Sequence, residues 1–412
     1  LTRQGGLFAQ LKKQTTQEFA VMGSRKIQSF VSLMAAIFLF AACSAASAAD
    51  VAAERAARAA KGVGDIVVGV SWPFSMEKAT LWEGVSLAQD ELNGAGGVLG
   101  RKLVLVKEDD KKSVDTGKMI AEKFSSNPDM VAVIGTLNSN IAIETAPVYE
   151  RAGMVFLSQG SSLSKLTNQG YKNVFRMIPG NRDVGEKLAN YAKLKKYKHV
   201  LIYYVKNEYG IDLANAFEQG AAAVGVEVTD RVSYQKEGGN YKSAMQHWKD
   251  FYSFDAIFLA GSLPESADII RAAREVGIKA PIFAADGLDS EELIRLGGQF
   301  AKDTEITSFF NPSASTPAVS AFRDKFFKRY TKSPDTSAAL GYDAVMLLAH
   351  AMTRAKTTAP KKVAMELHNL RGWPGVTRTH GFDDAGNALD KLILMQVVKN
   401  GKFEYSTIDL GH

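Results

Sequence analysis

Cysteine is nearly missing from this 412-residue chain, and the one present is Cys43. Everything downstream of it therefore has no disulfide framework, no thiol nucleophile and no cysteine-based metal site. Histidine is scarce too. His199, His247, His350, His368, His380 and His412 show no i, i+4 pairing, so no metal site is expected. Charge of one sign is also lacking in the body of the protein. The formal net charge of +6 divides into +5 for residues 1–64 and +1 for the rest, which leaves no basic footprint for nucleic acid. Only one long apolar run occurs, near the N-terminus, and this excludes a polytopic membrane protein. With 46% hydrophobic and 23% charged residues the remainder reads as an ordinary globular chain, and 35 Gly against 11 Pro indicates many tight turns without low complexity.

The apolar run belongs to a leader. Around Met22, the expected start, Arg25 and Lys26 precede an apolar core from Ile27 to Ala42 and then small residues, the pattern of a secretory signal peptide. Ala46-Ser47-Ala48 offers an A-x-A cleavage site, whereas Phe40-Ala41-Ala42-Cys43 resembles a lipobox that would attach lipid at Cys43. Export to the periplasm is expected by either route. The Ala-rich stretch that follows has no aromatic residue and reads as a tether, with helix in part of it as the alternative.

From Ile66 onward, short β-branched runs alternate with segments of helical period. Strand candidates are residues 66–70, 102–106, 131–135, 154–158, 199–205, 226–232, 255–261, 281–285 and 392–398. Helix candidates are residues 81–93, 114–125, 141–151, 185–194, 211–224, 241–251, 264–276, 288–296, 318–329 and 338–355. Such alternation argues an α/β fold with parallel sheets covered on both faces. So many units exceed one open sheet, and the helical block near 317–370 followed by a hairpin around 380–390 does not suit an eight-unit barrel. Two sheets, breaking near residues 174–183, are expected.

Apparent catalytic motifs dissolve on inspection. GAGGVLG at 94–100 has Leu99 where a dinucleotide loop needs its third glycine, and it follows a helix instead of opening one. Ser162-x-x-Lys165 matches an acylating motif, but no S-D-N, K-T-G or G-x-S-x-G accompanies it. Trp248 reads as packing. No catalytic residue, metal ligand or cofactor is expected.

The informative features are loops at the carboxyl ends of strands, where open α/β sheets bind ligands. They are Ser71-Trp72-Pro73-Phe74, Thr136 to Asn140 and Gln159-Gly160-Ser161-Ser162. Hydroxyls and backbone N–H groups there, with a helix opening at Ser139, suit a carboxylate, although Ser139 alone reads equally as a helix cap. In the second half a strand ends at Asp286, placed to meet a cation. Trp72 and Phe74 could wall an apolar pocket.

Six stretches together give a family resemblance: ELNGAGGVLGRKLVLVKEDD (91–110), VAVIGTLNSN (131–140), APVYERAGMVFLS (146–158), EYGIDLANAFEQGA (208–221), FLAGSLPESADIIRAAREVGI (258–278) and HGFDDAGNALD (380–390). The chain over residues 65–400 resembles the Leu/Ile/Val-type, or branched-chain, amino-acid-binding proteins of ABC transporters, which are type I periplasmic binding proteins. The resemblance implies two Rossmann-like lobes with parallel central sheets, joined by three crossovers near Arg176–Arg182, Ser308–Pro312 and Thr379–Asp383. It implies a leader over 1–49, a linker over 50–64, one lobe from 65–178 plus 312–379 and another from 179–311 plus 380–412. Function would be capture of a small amino acid or related carboxylate by a monomer and its delivery to the permease subunits of an ABC importer. The alternative is a ligand-sensing receptor domain of the same fold, for amides or organic acids.

Residue by residue, the resemblance puts Ser139 and Ser162 on the α-carboxylate, with Ser161 beside them, and Gly160 on the α-ammonium. Tyr209 would line the second lobe and Asp286 would pair with the ammonium. Ser262 stands where relatives commonly carry an aromatic residue, so the side-chain pocket is expected to differ from that of a Leu/Ile/Val binder.

Overall fold

Two runs of β-branched and aliphatic residues, IVVGVSW and MVAVIG, are almost wholly buried as neighbouring strands, and a sheet buried on both faces grows around them. These are β1 (Ile66–Trp72) and β3 (Met130–Gly135). With β2 (Leu103–Asp109), β4 (Val155–Ser158) and β5 (Val174–Arg176) they form an all-parallel sheet in the order β2-β1-β3-β4-β5. The computed structural model describes residues 50–76, 80–235 and 239–410. The leader, its cleavage sites and Cys43 lie outside the described residues. The chain divides into a unit of residues 1–53, of which the described part, 50–53, is helical, and a unit of residues 54–412, to which all that follows refers.

Helices cover both faces of the first sheet. On one side α2 (Leu81–Gly94), α10 (Pro317–Tyr330), α11 (Thr336–Ala355) and α12 (Pro360–Asn369) close a core containing Val68, Trp72, Val85, Phe322 and Val345. On the other, α3 (Val114–Ser125) and α4 (Ser139–Arg151) pack Phe124 and Tyr149 against Met130 and Phe156.

The second sheet has the order β14-β13-β10-β9-β8-β6-β7. Its strands are β6 (His199–Val205), β7 (Glu227–Tyr234), β8 (Ala256–Ala260), β9 (Ile282–Ala284), β10 (Glu305–Ser308), β13 (Leu394–Lys399) and β14 (Lys402–Asp409). They are parallel from β7 to β10, and the β13–β14 hairpin adds antiparallel at β10. Helices α5 (Asn181–Leu194) and α6 (Glu208–Val224) cover one face. The other lies under α7 (Tyr241–Phe251), α8 (Glu265–Glu275) and α9 (Glu291–Gly297), with Trp248 buried there and its Nε1 donating to Asp230 Oδ2 at 2.7 Å. A small ribbon of β11 (Trp373–Gly375) and β12 (Arg378–His380) completes the fold. These are the two expected α/β lobes.

The chain passes between the sheets through residues 177–180, 309–316 and 381–393. Arg176, 5% exposed, ties two of these passages together. Its Nη1 donates to the carbonyls of Ser162 (3.1 Å) and Leu163 (2.9 Å), and its Nη2 donates to Asn387 Oδ1 (2.5 Å).

Several elements differ from expectation for local reasons. Helix α5 starts at Asn181, not 185, because Asp183 accepts a hydrogen bond from the Gly180 N–H (3.3 Å) and closes the first turn. The helix expected over 288–296 breaks into a 3-10 turn at Asp286–Leu288 and α9, since Ser290 caps the latter. The C-terminal hairpin turns at Asn400-Gly401, whereas residues 380–390 hold only a tight turn bridged at Phe382 and Ala388. Strands β5, β10 and β14 were not expected, the first two being only three and four residues long. The linker reading of 50–64 also needs revision. Residues 54–61 form a helix, α1, whose Arg55 is 1% exposed. Its guanidinium donates to the carbonyls of Met130 (2.6 Å), Ala152 (2.5 Å), Ser125 (2.7 Å) and Asn127 (3.1 Å).

Candidate functional site

Strand order fixes where a ligand can sit. In the first sheet the chain reverses its direction of growth between β1 and β3, and in the second between β6 and β8. At such a switch the loops leaving two adjacent strands part and open a crevice. Both crevices contribute to a single cavity of about 130 Å³.

From the first lobe come Trp72 at the end of β1, then Leu137, Asn138 and Ser139 after β3, and Gly160 after β4. Gly135 ends β3 at φ +143°, and a Cβ there would collide with the Ser71 carbonyl oxygen, so glycine is required for the loop to leave beside β1. Asn138 holds the N-cap position of α4 without a side-chain capping bond, and its buried Oδ1 has no partner among the described residues. Gly160 lies so close to this loop that a Cβ would sit 2.6 Å from Thr136 O and 2.7 Å from Leu137 Cα.

The second lobe brings Asn207, Glu208 and Tyr209 from the start of α6, Ser262 and Leu263 after β8, and Asp286, Gly287, Asp289 and Ser290 after β9. Burial pushes the Asp286 carboxyl up to about 7, the charge of Asp289 adding to the effect, and Asp286 Oδ1 has no partner. Burial and the neighbouring Asp286 hold the Tyr209 phenol well above its usual range, so it stays protonated. Asp289 is satisfied instead. Its Oδ2 accepts from the Thr336 hydroxyl (2.7 Å) and its Oδ1 from Gln396 Nε2 (2.6 Å), while burial raises it to about 6.

Of the residues expected from sequence, Trp72, Ser139, Gly160, Tyr209, Ser262 and Asp286 line this cavity together. Phe74, Ser161 and Ser162 are not among its lining residues. Phe74 packs edge-on against Trp82 (6.0 Å between centroids), with Lys107 Nζ 4.2 Å above its ring. Ser161 and Ser162 are buried and their hydroxyls lack partners, while the Ser162 carbonyl accepts from Arg176 and from the Asn181 N–H (2.8 Å). Lys165, which completed the acylating pattern, pairs with Glu208 at 3.5 Å.

The lining also includes Lys112, Asn207, Asp289, Ser290 and Ser337, which sequence reasoning missed. A signal existed for two of them: Asn207 and Ser290 hold N-cap positions shortly past a strand or at a turn. The arrangement offers a carboxylate with one free oxygen, Asp286 Oδ1, on one side and hydroxyls with a helix N-terminus on the other, which suits a small molecule carrying both charges.

Comparison with known proteins agrees in kind. Residues 65–402 match the family model described as periplasmic binding protein. An amino acid binding protein of Pseudomonas aeruginosa is 27% identical over 316 residues, 73% of this chain and 81% of the relative. The Leu/Ile/Val-binding protein homolog 1 of Brucella abortus is 26% identical over 355 residues, 83% and 93% of the two chains. Among solved structures, an ABC transporter substrate-binding protein of Desulfitobacterium hafniense in complex with Leu is 37% identical. That match covers 83% of this chain and all of the other, with a TM-score of 0.76.

Proposed function

The chain belongs to the periplasmic binding protein family, and from that premise we propose that it captures an amino acid between its two lobes and presents it to the permease subunits of an ABC importer. One observation carries the reading: the buried Asp286 carboxylate, whose Oδ1 has no partner, shares a cavity with the hydroxyl and helix N-terminus of Ser139, contributed by the other lobe. Asp286 and Tyr209 would hold the ammonium, with the Gly160 main chain. The carboxylate would lie against Ser139 and the first-turn N–H groups of α4. Ser162 would hold the passage between the lobes through its carbonyl, which accepts from Arg176 and the Asn181 N–H, and Phe74 would brace β1 from outside the cavity.

The reading is of binding without chemistry, in keeping with relatives that are named as binding proteins. It assigns residues 65–178 with 312–379 to one lobe and 179–311 with 380–412 to the other, a division supported by the membership of the two sheets. No helix among the described residues is long and apolar enough to cross a membrane, and the family places the protein in the periplasm. Calorimetric titration with an amino-acid panel tests the reading. Saturable binding that is lost in Asp286→Ala is the expected result; no binding by any amino acid would refute it.

A further inference from the structure

Three titratable side chains form a buried row where the third passage leaves the first lobe, and none of them lines the cavity. Asp343 on α11 and His380 on β12 are fully buried, and His380 Nε2 lies 3.0 Å from Asp343 Oδ2. Asp343 also accepts from the N–H groups of Val376 (2.7 Å) and Thr377 (2.8 Å) and from the Thr377 hydroxyl (2.6 Å). On the far side of the ring, Lys391 Nζ lies 2.7 Å from His380 Nδ1.

These bonds fix where the protons sit. Burial alone would raise the Asp343 carboxyl, but the bonds from His380 and Thr377 hold it below its usual range, so it is an acceptor. His380 must then carry its proton on Nε2, which leaves Nδ1 bare to accept from the Lys391 amine. That bond holds whether the amine is charged or neutral. It fails once Nδ1 takes a proton while the amine keeps its own, because two donors of like charge then face each other. Joined, the pair carries one positive charge but not two.

The other neighbours do not relieve that conflict. Trp373 (5.6 Å between centroids) and Gly375 of β11 pack on the His380 ring and are uncharged. His350 on α11 lies beyond Trp373 (6.0 Å), and Tyr342, beside Asp343, donates to Glu91. Arg371, near Gly381, donates to the carbonyls of His368 and Leu370. Arg378 on β12 brings another positive charge, and Asp390 is exposed. Meanwhile the turn before Lys391 is held independently: Asn387 Oδ1 accepts from Arg176 Nη2, and the Gly386 carbonyl accepts from the Arg176 N–H (2.8 Å). Residues 388–393 run on from that turn to β13 of the second lobe, and Lys391 ties them back to the first.

We propose that Lys391, His380 and Asp343 form a proton-operated latch on the third passage, closed at neutral pH and released in acid when His380 Nδ1 takes up a proton, which frees residues 388–393 from the first lobe. Acid is the opening direction for both bases. Burial and the Lys391 charge push His380 below its ordinary range, and burial pushes Lys391 down to about 7. Each base binds protons more weakly in the latched state than in solvent, so a falling pH favours release.

Hydrogen exchange read by mass spectrometry on the ligand-free protein at pH 8 and pH 5, corrected for the intrinsic pH dependence of exchange, tests this. Peptides covering residues 381–393 should open about tenfold or more as often at pH 5, since a released histidine takes up its proton near pH 6.5. Lys391→Met keeps the stem and removes the amine, so these peptides should exchange fast at both pH values. Equal protection of the unaltered chain at the two pH values, or a pH response in Lys391→Met as large as that of the unaltered chain, would overturn the proposal. A second measurement needs no variant to fold. Long-range proton–nitrogen NMR of the unaltered protein at pH 8 should show His380 neutral with its proton on Nε2, and a proton on Nδ1 would overturn the latch. No ligand enters either measurement, so their outcome leaves the amino-acid reading untouched.

Discussion

The hydroxyl of Thr336, at the start of α11 on the first lobe, donates a hydrogen bond to the buried carboxylate of Asp289 in the second, at 2.7 Å. Gln396 supplies that carboxylate's other partner, and Ser308 Oγ, where the chain leaves the second sheet, lies 3.2 Å from the Thr336 hydroxyl. A polar knot between the lobes thus forms part of the cavity wall.

Thr336→Val removes the donor at nearly constant volume and leaves Asp289 with one fewer partner. A loss of about 1–3 kcal/mol is expected. The donor stabilises the ionised carboxylate, whose pKa burial has pushed up to about 6. The deficit should therefore be larger at pH 8 than at pH 5, which urea unfolding at the two pH values would reveal; an equal deficit would mean the bond does not favour the charged form.

Asp286 makes ligand-free stability and ligand affinity run in opposite directions with pH. Its folded-state pKa of about 7 lies above the ordinary aspartate value of 3.8. Between those limits the folded state binds more protons than the unfolded one, so its contribution to stability falls as pH rises from about 4 to 7. An ammonium ligand needs the ionised form, so affinity should fall as pH drops below about 7. Melting curves and calorimetry between pH 5 and 8 should show both trends, and Asp286→Asn should flatten both. Asp286→Ala should weaken binding by about 2–5 kcal/mol, because the ammonium would stay buried without its anion.

Gly160→Ala would drive a Cβ into main-chain atoms of Thr136 and Leu137, which cannot yield as a flexible side chain would. The loop that carries Ser139 must shift. Binding should weaken more than tenfold, with stability reduced by about 1–3 kcal/mol, as calorimetry and thermal unfolding would show. Unchanged affinity would place the ligand away from this loop.

Trp72→Ala empties a site that serves both core and cavity. The ligand-free protein should lose about 3–5 kcal/mol, seen as a lowered melting temperature. A normal melting temperature would contradict the packing of Trp72 against the first lobe's core.

Arg55→Ala should destabilise the body of the protein by about 2–4 kcal/mol, since four main-chain carbonyls lose a charged donor. Arg58→Ala, three residues on and exposed, should leave stability almost unchanged despite its ion pair with Asp129 (2.7 Å). Chemical denaturation of the two variants in parallel makes the contrast measurable.

The alternation of β-branched runs with helical periods made the two-sheet fold legible, because burial on both faces leaves an unmistakable apolar run such as residues 131–135. Asp286 was legible for a local reason too, an acid directly after such a run. What escaped depends on partners distant in sequence. Asp289 becomes a wall residue only through Thr336 and Gln396, each brought in by a separate return of the chain. Phe74 read as a wall because it neighbours Trp72, but the chain turns at Pro73, with the Phe74 N–H bonding back to the Trp72 carbonyl (2.8 Å), and the ring swings to Trp82. Arg55 lies in the alanine-rich stretch that reads as a tether, and nothing nearby in the sequence announces the carbonyls that enclose it.

The threefold passage between the sheets also sets the order in which the protein can be finished during synthesis. The first lobe has its sheet by Arg176, yet one face is covered by α2 alone until α10, α11 and α12 have been made, out to Asn369. The second lobe receives its last two strands only between Leu394 and Asp409. Each lobe therefore waits for segments that follow strands of the other, so the two are completed together and not in succession.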